Sequence, residues 1–318
     1  MRVSVVIPVH GKAQLTAHCL STLRDEFRER PDVEVIVVDD SSPDDTRFVV
    51  DAQAWVRLLR LDQQSGFAVS CNTGASASSG EYVVFLNNDT VGRPGWLDSL
   101  VAYADQHDEV GAVGAKLLYP NDTIQHAGIV MSSDLLPRHV YRGFPADHPA
   151  VSRLRPFQAV TGACMLVRRR IFQKLGGLDE AFANGFEDVD FCLRLRASGH
   201  EVHYCAASVL THLEAATRGE DAKAFRRNAD LFLGRWRESI RSDELATYAE
   251  DGLIRIESGD VYPLRFTVSP ELAVIETDQL EAFKLLGLRS HQVFDLLKEN
   301  TALRFPDGGP SSTGRAIA

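Results

Sequence analysis

The sequence has 318 residues and a formal net charge of −10, with acidic and basic residues interspersed, and 44% of its residues are hydrophobic. This composition suffices for one large α/β domain with a smaller appendage, and the lack of a basic face argues against a nucleic-acid-binding protein. Five scattered cysteines without CxxC spacing predict neither a zinc site nor a disulfide framework, and they fit a reducing compartment.

The amino terminus leads directly into an apolar strand pattern and lacks the basic, apolar and cleavage-site regions of a signal peptide. No apolar run approaches the roughly 20 residues that span a bilayer. We therefore expect a cytoplasmic protein without a transmembrane segment, with room for peripheral contact at the inner face of the membrane.

Short apolar strands alternate with amphipathic helices over the first sixty or so residues. The pattern predicts strands at 3–7, 33–38 and 56–61, separated by helices at 14–27 and 43–50. Such alternation is typical of βαβ units and a mainly parallel sheet. A further apolar run, at residues 82–86, predicts a fully buried strand.

Polar clusters follow two of these strands. Asp39 and Asp40 end the second strand, and Asn87, Asn88 and Asp89 end the strand at 82–86. Because the carboxyl ends of parallel strands meet at one edge of a sheet, where open α/β sheets bind ligands, the two clusters together favour a nucleotide site. Their oxygens suit Mg²⁺ or Mn²⁺. An Asx-rich turn is the alternative for each cluster taken alone.

The glycine motifs of other nucleotide sites are missing. No G-x-G-x-x-G follows the first strand, and GAVGAK at 111–116 has the wrong spacing for a P-loop. Because the sequence has no evident basic cradle for phosphate, a divalent metal held by carboxylate is the expected partner of a diphosphate.

The rest of the chain predicts further strands, a long loop and a helical extension. The later strands are predicted at 110–118, 123–131, 159–167, 200–205, 209–212, 253–257 and 261–268. Residues 132–157 carry four prolines and predict a long loop over the cleft. The later helices are predicted at 186–198, 221–240, 280–286 and 292–300, before a Pro/Gly/Ser-rich tail that we expect to be disordered.

Five motifs occur in order along residues 2–220. They are VSVVIPVHG, VVDDSS, SGFAVSCNTGASASSGEYVVFLNNDT, FEDVDFCLRLRASG and THLEAATRG. Together they resemble the inverting family 2 glycosyltransferases of GT-A fold, most closely the rhamnosyltransferase-like bacterial members. The resemblance implies an α/β domain at 1–220 with a mixed, mainly parallel sheet flanked by helices. It leaves 221–305 as a mostly helical C-terminal extension and 306–318 as the tail.

The resemblance implies nucleotide-binding roles in the first half of the chain. Pro8 and Asp40 match positions that line the nucleobase pocket, where a carboxylate can accept from the N3–H of uracil or thymine. The implied nucleotide-binding set is Pro8, His10, Asp40, Gly66, Asn72, Asn87 and Asn88. A structural cap is the alternative for Asp39, and a plain turn with a satisfied side chain is the alternative for Asn72.

The segment Asn87-Asn88-Asp89 occupies the place of the DXD motif, with Asn87 replacing the first aspartate. This departure leaves Asp89 as the carboxylate ligand for Mn²⁺ or Mg²⁺, and it leaves room for a deoxynucleotide donor such as a dTDP-sugar. The resemblance implies His212 as a second metal or diphosphate contact, with a hydrogen-bonded structural histidine as the alternative. Gln125 and His126 fall in another family-like motif, where a structural role is the simpler interpretation of His126.

The motif FEDVD carries the implied chemistry. Asp188 matches the catalytic base and Glu187 an acceptor-binding carboxylate, while Gly162 lies in the segment that floors the sugar pocket. An acidic first helical turn, stabilised by the helix dipole, is the alternative. Inverting transfer requires one base on the face opposite the leaving diphosphate.

These features predict a metal-dependent inverting glycosyltransferase. The expected donor is a UDP- or dTDP-sugar, with dTDP-rhamnose as a candidate, and the expected acceptor is a hydroxyl of a glycan, a glycolipid or another lipid-linked molecule. The C-terminal extension could support a homo-oligomer. A catalytically inert nucleotide-sugar-binding module that serves a partner transferase is the alternative, but such a module has no need of the base at Asp188.

Overall fold

The computed structural model describes residues 1–213, 222–257 and 265–272. The chain divides into two units, Met1–Glu244 and Leu245–Ala318. The predicted helices at 280–286 and 292–300 and the predicted tail lie outside the described residues. The first unit includes the helix that follows residue 221. The predicted domain boundary at residue 220 and the predicted homo-oligomer remain predictions.

A ten-stranded mixed sheet forms the centre of the first unit. The strands of this unit, including a separate two-stranded hairpin of β8 and β9, are β1 (Val3–Val9), β2 (Val33–Asp39), β3 (Val56–Arg60), β4 (Tyr82–Leu86), β5 (Thr90–Gly92), β6 (Val110–Leu118), β7 (Ile124–His126), β8 (Ile129–Met131), β9 (Pro137–His139), β10 (Arg155–Pro156), β11 (Cys164–Arg168) and β12 (Glu201–His212).

The strand order along the sheet is β10-β12-β6-β11-β4-β1-β2-β3. Strands β4, β1, β2 and β3 run parallel, as their alternation with helices predicts. Strand β11 runs antiparallel between β4 and β6, and β12 is parallel to β6. Strand β5 pairs with β12, and β7 pairs with β6. This mixed, mostly parallel sheet flanked by helices confirms the predicted fold class.

Helices cover both faces of the sheet. The helices of the first unit are α1 (Ala13–Phe27), α2 (Thr46–Asp51), α3 (Phe67–Ala77), α4 (Trp96–Gln106), α5 (Arg169–Lys174), α6 (Glu187–Ala197) and α7 (Ala222–Trp236). One apolar core includes the buried stripes of α1 and α4, and a second includes those of α3, α5, α6 and α7. Because β1 is parallel to both β2 and β4, the carboxyl ends of these three strands lie at one edge of the sheet.

The second unit is described only in part. Helix α8 (Glu244–Glu250) crosses the boundary between the units, and β13 (Ile254–Glu257) pairs with β14 (Arg265–Val268) in an antiparallel hairpin. Within the described residues, no helix is both long enough and apolar enough to cross a bilayer. All five cysteines are buried as free thiols.

Several predicted strands have different limits in the structure. The predicted strand at 123–131 is interrupted at Gly128, which has a φ of 118° and lies against the ring of Phe157. The predicted strand at 159–167 begins only at Cys164. The predicted strands at 200–205 and 209–212 are one strand, β12, with a shift in its register to β6 between Cys205 and Val209.

The predicted loop at 132–157 is a packed segment. It contains β9, β10 and a turn of 3-10 helix at Pro149–Val151. Its side chains Val140, Tyr141 and Phe144 are buried. This packing could not be predicted from the sequence, because sequence patterns detect a regular period of apolar residues and the buried residues of this segment follow none.

Candidate active site

Four of the predicted nucleotide-binding residues, Pro8, His10, Asp40 and Gly66, lie at or near the ends of β1 and β2. Pro8 lies near the end of β1, and His10 Nδ1 donates to the backbone oxygen of Asp40 at 2.7 Å. The buried carboxylate of Asp40 accepts the N–H groups of Ser65 at 2.6 Å and Gly66 at 2.8 Å. Asp40 therefore fastens the start of α3 to the end of β2.

Asp39 has a different environment from its neighbour. It is fully buried, it pairs with Arg60, and its Oδ1 accepts the N–H of Ser42 at 2.8 Å. These contacts are those of the structural cap that the sequence left open. Asp39 therefore has a structural role, whereas Asp40 is the carboxylate that contacts the Ser65–Gly66 loop.

Asn72 uses its side chain to hold another segment of the chain. Its Nδ2 donates to the backbone oxygen of Leu178 and to Oε1 of Glu180, each at 2.9 Å, and its Oδ1 accepts the N–H of Leu178 at 2.8 Å. This is the satisfied asparagine of the structural alternative. A role for Asn72 in nucleotide binding remains a prediction.

The end of β4 brings Asn87, Asp89 and His212 together. Strand β12 ends beside β5, and this pairing places His212 Nε2 at 2.9 Å from Asp89 Oδ1. The side-chain amide of Asn87 lies 3.3 Å from the same nitrogen. Asn88 instead donates to Thr16 Oγ1 of α1 at 2.8 Å. The segment thus directs two of its three side chains to His212.

Gln125 determines which nitrogen of His212 carries the proton. Its Oε1 lies 2.6 Å from His212 Nδ1, and its Nε2 donates to the backbone oxygen of His212 at 3.5 Å. Because an amide oxygen can only accept, Nδ1 is the protonated nitrogen. This leaves Nε2 as the nitrogen that could bind a metal, as in metal-binding histidines whose other nitrogen is held by a neighbour.

The residues fit a divalent metal. Asp89 Oδ1 is buried, and no donor among the described residues reaches it with hydrogen-bond geometry. It lies 2.9 Å from Nε2 of His212, the nitrogen that the Asn87 amide also approaches. In octahedral coordination with bonds of about 2.1 Å, neighbouring ligand atoms lie about 3 Å apart. A cation bound to both atoms would satisfy this pair.

No larger metal-binding cluster occurs in the part of the chain that the structure describes, where no group of three or more His, Cys, Asp and Glu side chains could hold a metal. Asp89 and His212 are therefore the ligands that this part of the chain can offer, and phosphate oxygens and water suit the remaining positions. Glu214 and Arg218 lie outside the described residues.

The predicted base and its neighbours lie at the start of α6. The two carboxylate oxygens of Asp188 accept the N–H groups of Gly162 and Val189, each at 2.8 Å. Glu187 is buried and accepts the N–H of Gly185 at 2.5 Å. Next to Gly162, Ala163 accepts the N–H of Asn87 at 2.9 Å. Asp188 and the Asn87 segment are therefore joined through two adjacent backbone positions.

Gly162 is a glycine because its surroundings are crowded. A Cβ at this position would lie 3.3 Å from the Cβ of Asp188 and 3.3 Å from the ring of Phe67. We expect Gly162→Ala to displace Asp188 by a few tenths of an ångström and to lower turnover about 10-fold, since small misplacements are costly for a catalytic base, the role that the sequence predicts for Asp188.

Steady-state kinetics of Gly162→Ala beside Gly234→Ala test this expectation. Gly234 lies in α7, and no atom of the described residues lies within 4 Å of the Cβ that alanine would add there. The control should keep the turnover of the parent. Equal turnover in both variants would show that the space around Gly162 does not matter to the reaction.

His126 is a structural histidine. It is fully buried, its Nδ1 lies 3.1 Å from Nδ1 of His139, and the two rings meet edge to face. Burial, assisted by His139, lowers the pKa of His126 well below its usual range. The neutral imidazole supports the segment around Thr161, because its Nε2 accepts the backbone N–H of Thr161 at 3.5 Å.

Comparison with known proteins assigns the chain to a family. The family model described as Glycosyl transferase family 2 matches residues 4–176, which is more than half of the chain. The chain belongs to glycosyltransferase family 2. This assignment confirms the resemblance carried by the five sequence motifs.

Two curated relatives of this glycosyltransferase carry informative names. An O-antigen biosynthesis protein, RfbC, of Myxococcus xanthus is 38% identical over 70% of this chain but only 18% of its own length. The N-acetylglucosaminyl-diphospho-decaprenol L-rhamnosyltransferase of Mycobacterium tuberculosis is 27% identical over 67% of this chain and 80% of its own length. A further relative, the protein y4gI of Sinorhizobium fredii, is 36% identical over 64% of this chain, and this chain covers less than a quarter of the length of both RfbC and y4gI.

A solved structure supports the fold of the glycosyltransferase. The crystal structure of GalNAc-T7 with UDP, GalNAc and Mn²⁺ matches 79% of this chain and 54% of its own, with a TM-score of 0.57 and 15% sequence identity. At this identity the match concerns the fold alone. It agrees with the GT-A architecture that the motifs imply.

Proposed function

We propose that this glycosyltransferase moves a sugar from a UDP- or dTDP-sugar to a hydroxyl of a glycan or lipid-linked glycan, with inversion and with a divalent metal. One observation carries the proposal: the buried Oδ1 of Asp89, which accepts no hydrogen bond within the described residues, lies 2.9 Å from Nε2 of His212. A buried acceptor without a donor is costly, so such an oxygen beside an imidazole nitrogen is typical of a site that binds a cation.

The donor nucleotide lies along the edge formed by β1, β2 and β4. Asp40 is buried beside the Ser65–Gly66 loop, and its oxygens retain acceptor capacity for the N3–H of uracil or thymine. Pro8 and His10 complete this end of the pocket. The side-chain amide of Asn87 donates towards His212 rather than into the pocket for the sugar of the nucleotide. This arrangement is compatible with a deoxynucleotide, which has no ribose 2′-hydroxyl for the Asn87 amide to bind.

The diphosphate lies at Asp89 and His212. When bound there, Mn²⁺ or Mg²⁺ would neutralise the charge that develops on the departing nucleotide diphosphate. Gln125 accepts from Nδ1 of His212, which leaves Nε2, 2.9 Å from Asp89 Oδ1, as the nitrogen that would bind the metal. The similarity in fold to an enzyme whose crystal contains UDP and Mn²⁺ agrees with this arrangement.

Asp188 acts on the acceptor. Two backbone N–H groups hold its carboxylate, so its orientation is set before the acceptor binds. It takes the proton of the acceptor hydroxyl as that oxygen forms a bond to the anomeric carbon, and the bond from this carbon to the diphosphate oxygen breaks. A positioned base of this kind contributes about 10²–10⁴-fold to the rate.

The acceptor approaches from the side of Glu187 and Gly162. Glu187 is buried, and its Oε2 already accepts the N–H of Gly185, which directs the carboxylate before substrate binds. The named relatives act in O-antigen biosynthesis and on a diphospho-decaprenol-linked sugar. We propose an acceptor of the same chemical class, with dTDP-rhamnose as the first donor to test and peripheral membrane contact during the reaction.

A thermal-shift titration with UDP-, dTDP- and GDP-sugars, each with Mn²⁺ or Mg²⁺, tests the donor. We expect stabilisation by uracil or thymine nucleotides that requires the metal, because a ligand that binds only the folded state raises the melting temperature. Slow metal-dependent release of nucleotide diphosphate without acceptor then separates an enzyme from an inert binding module. Stabilisation by GDP-sugars alone would contradict the role proposed for Asp40.

A further inference from the structure

A left-handed turn leads directly into the helix that carries Asp188. Asn184, Gly185 and Phe186 have φ values of 54°, 139° and 77°. Residues other than glycine rarely adopt positive φ angles, so three consecutive residues keep this conformation only where surrounding contacts hold them. The next residues are Glu187 and Asp188, and the direction in which α6 begins therefore depends on this turn.

One buried side chain, Asn228 of α7, holds the turn. It is 2% exposed, its Oδ1 accepts the N–H of Ala183 at 3.3 Å, and its Nδ2 donates to the backbone oxygens of Ala183 and Gly185, each at 3.0 Å. An amide is suited to this task because it combines one acceptor with two donors. These bonds fix the peptide groups on which the left-handed conformation depends.

Helix α7 is itself fixed to the first turn of α6. The fully buried Asp190 accepts from Arg235 at 2.6 Å and from Trp236 at 2.9 Å through one oxygen, and from Arg194 at 2.8 Å through the other. Asn228 near the middle of the helix and Arg235–Trp236 at its end thus contact two successive parts of the same segment. The position of Asn228 relative to α6 is set by this charged contact.

The turn also reaches the nucleotide side of the site. Asn184 Oδ1 accepts the N–H of Phe67, the first residue of α3, at 3.1 Å. The same oxygen would lie 3.6 Å from a Cβ at Gly66, whose N–H is bound by Asp40. The turn therefore joins the loop beside the proposed donor to the helix that carries the proposed base.

We propose that Asn228 is a positioning residue for the transfer reaction, acting through the turn at 184–186 to hold Asp188 and the start of α3 in register. This inference rests on the proposed role of Asp188 as base. It assigns a function to α7, which lies beyond the residues matched by the family model. Asn228 does not touch the reacting atoms in this account, so its loss should affect turnover more than donor affinity.

The test uses Asn228→Ala in the full chain, with Gln158→Ala as the matched control. Gln158 is another buried amide that donates to a backbone oxygen, that of Arg241, at 2.9 Å. We expect Asn228→Ala to reduce kcat at least 10-fold with the donor KM within about twofold of the parent. The control should keep both constants. A kcat within twofold of the parent in Asn228→Ala would overturn the inference.

Hydrogen exchange gives a second readout that needs no activity. In Asn228→Ala, the amides of residues 183–188 should exchange at least 10-fold faster, and the amide of Phe67 should follow, while Gln158→Ala leaves them unchanged. Unchanged exchange at 183–188 would show that Asn228 does not hold the turn. Because this measurement is independent of the reaction, a failure of the proposed function would not be mistaken for a failure of the inference.

Asn184→Gly tests the link to α3 in a variant with little risk to folding. Asn184 is exposed, and glycine tolerates its φ of 54° while removing the acceptor of the Phe67 N–H. Faster exchange of the Phe67 amide together with a lower kcat is expected. Parental exchange and parental kcat would remove the turn from the mechanism, even if Asn228→Ala failed to fold.

Discussion

Asp188→Asn is expected to reduce transfer to the acceptor by about 10²–10⁴-fold, because the amide cannot take a proton from the acceptor hydroxyl. Asparagine keeps the shape of the side chain and one acceptor oxygen for the N–H of Gly162 or Val189, but not for both. A small loss of stability, about 0.5–1.5 kcal/mol for one hydrogen bond, should accompany the loss of turnover. Donor affinity should not change, since the base acts in the transition state.

Asp98→Asn is the matched control for this experiment. Asp98 lies in the first turn of α4, as Asp188 lies in the first turn of α6, so both substitutions remove a carboxylate from a helix amino terminus. If Asp188 were only such a carboxylate, both variants would lose about 0.3–1 kcal/mol of stability and keep their turnover. Melting temperature, donor affinity and turnover of the two variants distinguish these accounts, and near-parental turnover in Asp188→Asn would remove it from the mechanism.

Asp89→Asn is expected to abolish metal-dependent donor binding without weakening the metal-free protein. The new amide removes a buried carboxylate oxygen that accepts no hydrogen bond within the described residues, and it brings a donor to within 2.9 Å of His212 Nε2. The same change removes the carboxylate ligand. We expect the affinity for Mn²⁺ with nucleotide diphosphate, measured by calorimetry, to fall by about 10²-fold or more, since even residues that only support metal ligands are worth about 10–100-fold.

A metal site and a buried ion pair predict different results for Asp89→Asn, both in melting temperature and in metal binding. If His212 were a protonated structural residue paired with Asp89, the substitution would break a buried ion pair and lower the melting temperature, with no effect on metal binding. Asp122→Asn serves as the control, because Asp122 is an exposed carboxylate paired with Arg93. Equal nucleotide affinity with and without metal, in both the parent and Asp89→Asn, would exclude the metal site.

Much of the fold could be predicted from the sequence because its strands are short, apolar and separated by helices. The runs that become β1, β2, β3 and β4 lie close to their predicted limits, and the polar residues that follow β2 and β4 do reach one edge of the sheet. The buried-strand pattern sufficed there because parallel strands are covered on both faces. Family motifs then supplied the positions of Asp188 and His212.

The contacts that organise the site were beyond sequence reasoning. Gln125 meets His212 across 87 positions, and Asn228 meets Ala183 across 45. A single buried amide has no period in the sequence, and its partner is chosen by the packing of distant elements. Strand β12 was divided in the prediction for a similar reason, since a local shift in register interrupts its apolar alternation without ending the strand.

The most direct test of the central claim is the anomeric configuration of the product formed when methanol replaces the natural acceptor. A UDP- or dTDP-sugar that stabilises the protein is incubated with Mn²⁺ and methanol, and the methyl glycoside is examined by NMR, since this product does not change configuration in solution. The account predicts consumption of the donor and a methyl glycoside of the opposite anomeric configuration. A product with the configuration of the donor, or no consumption of a donor that binds, would contradict it.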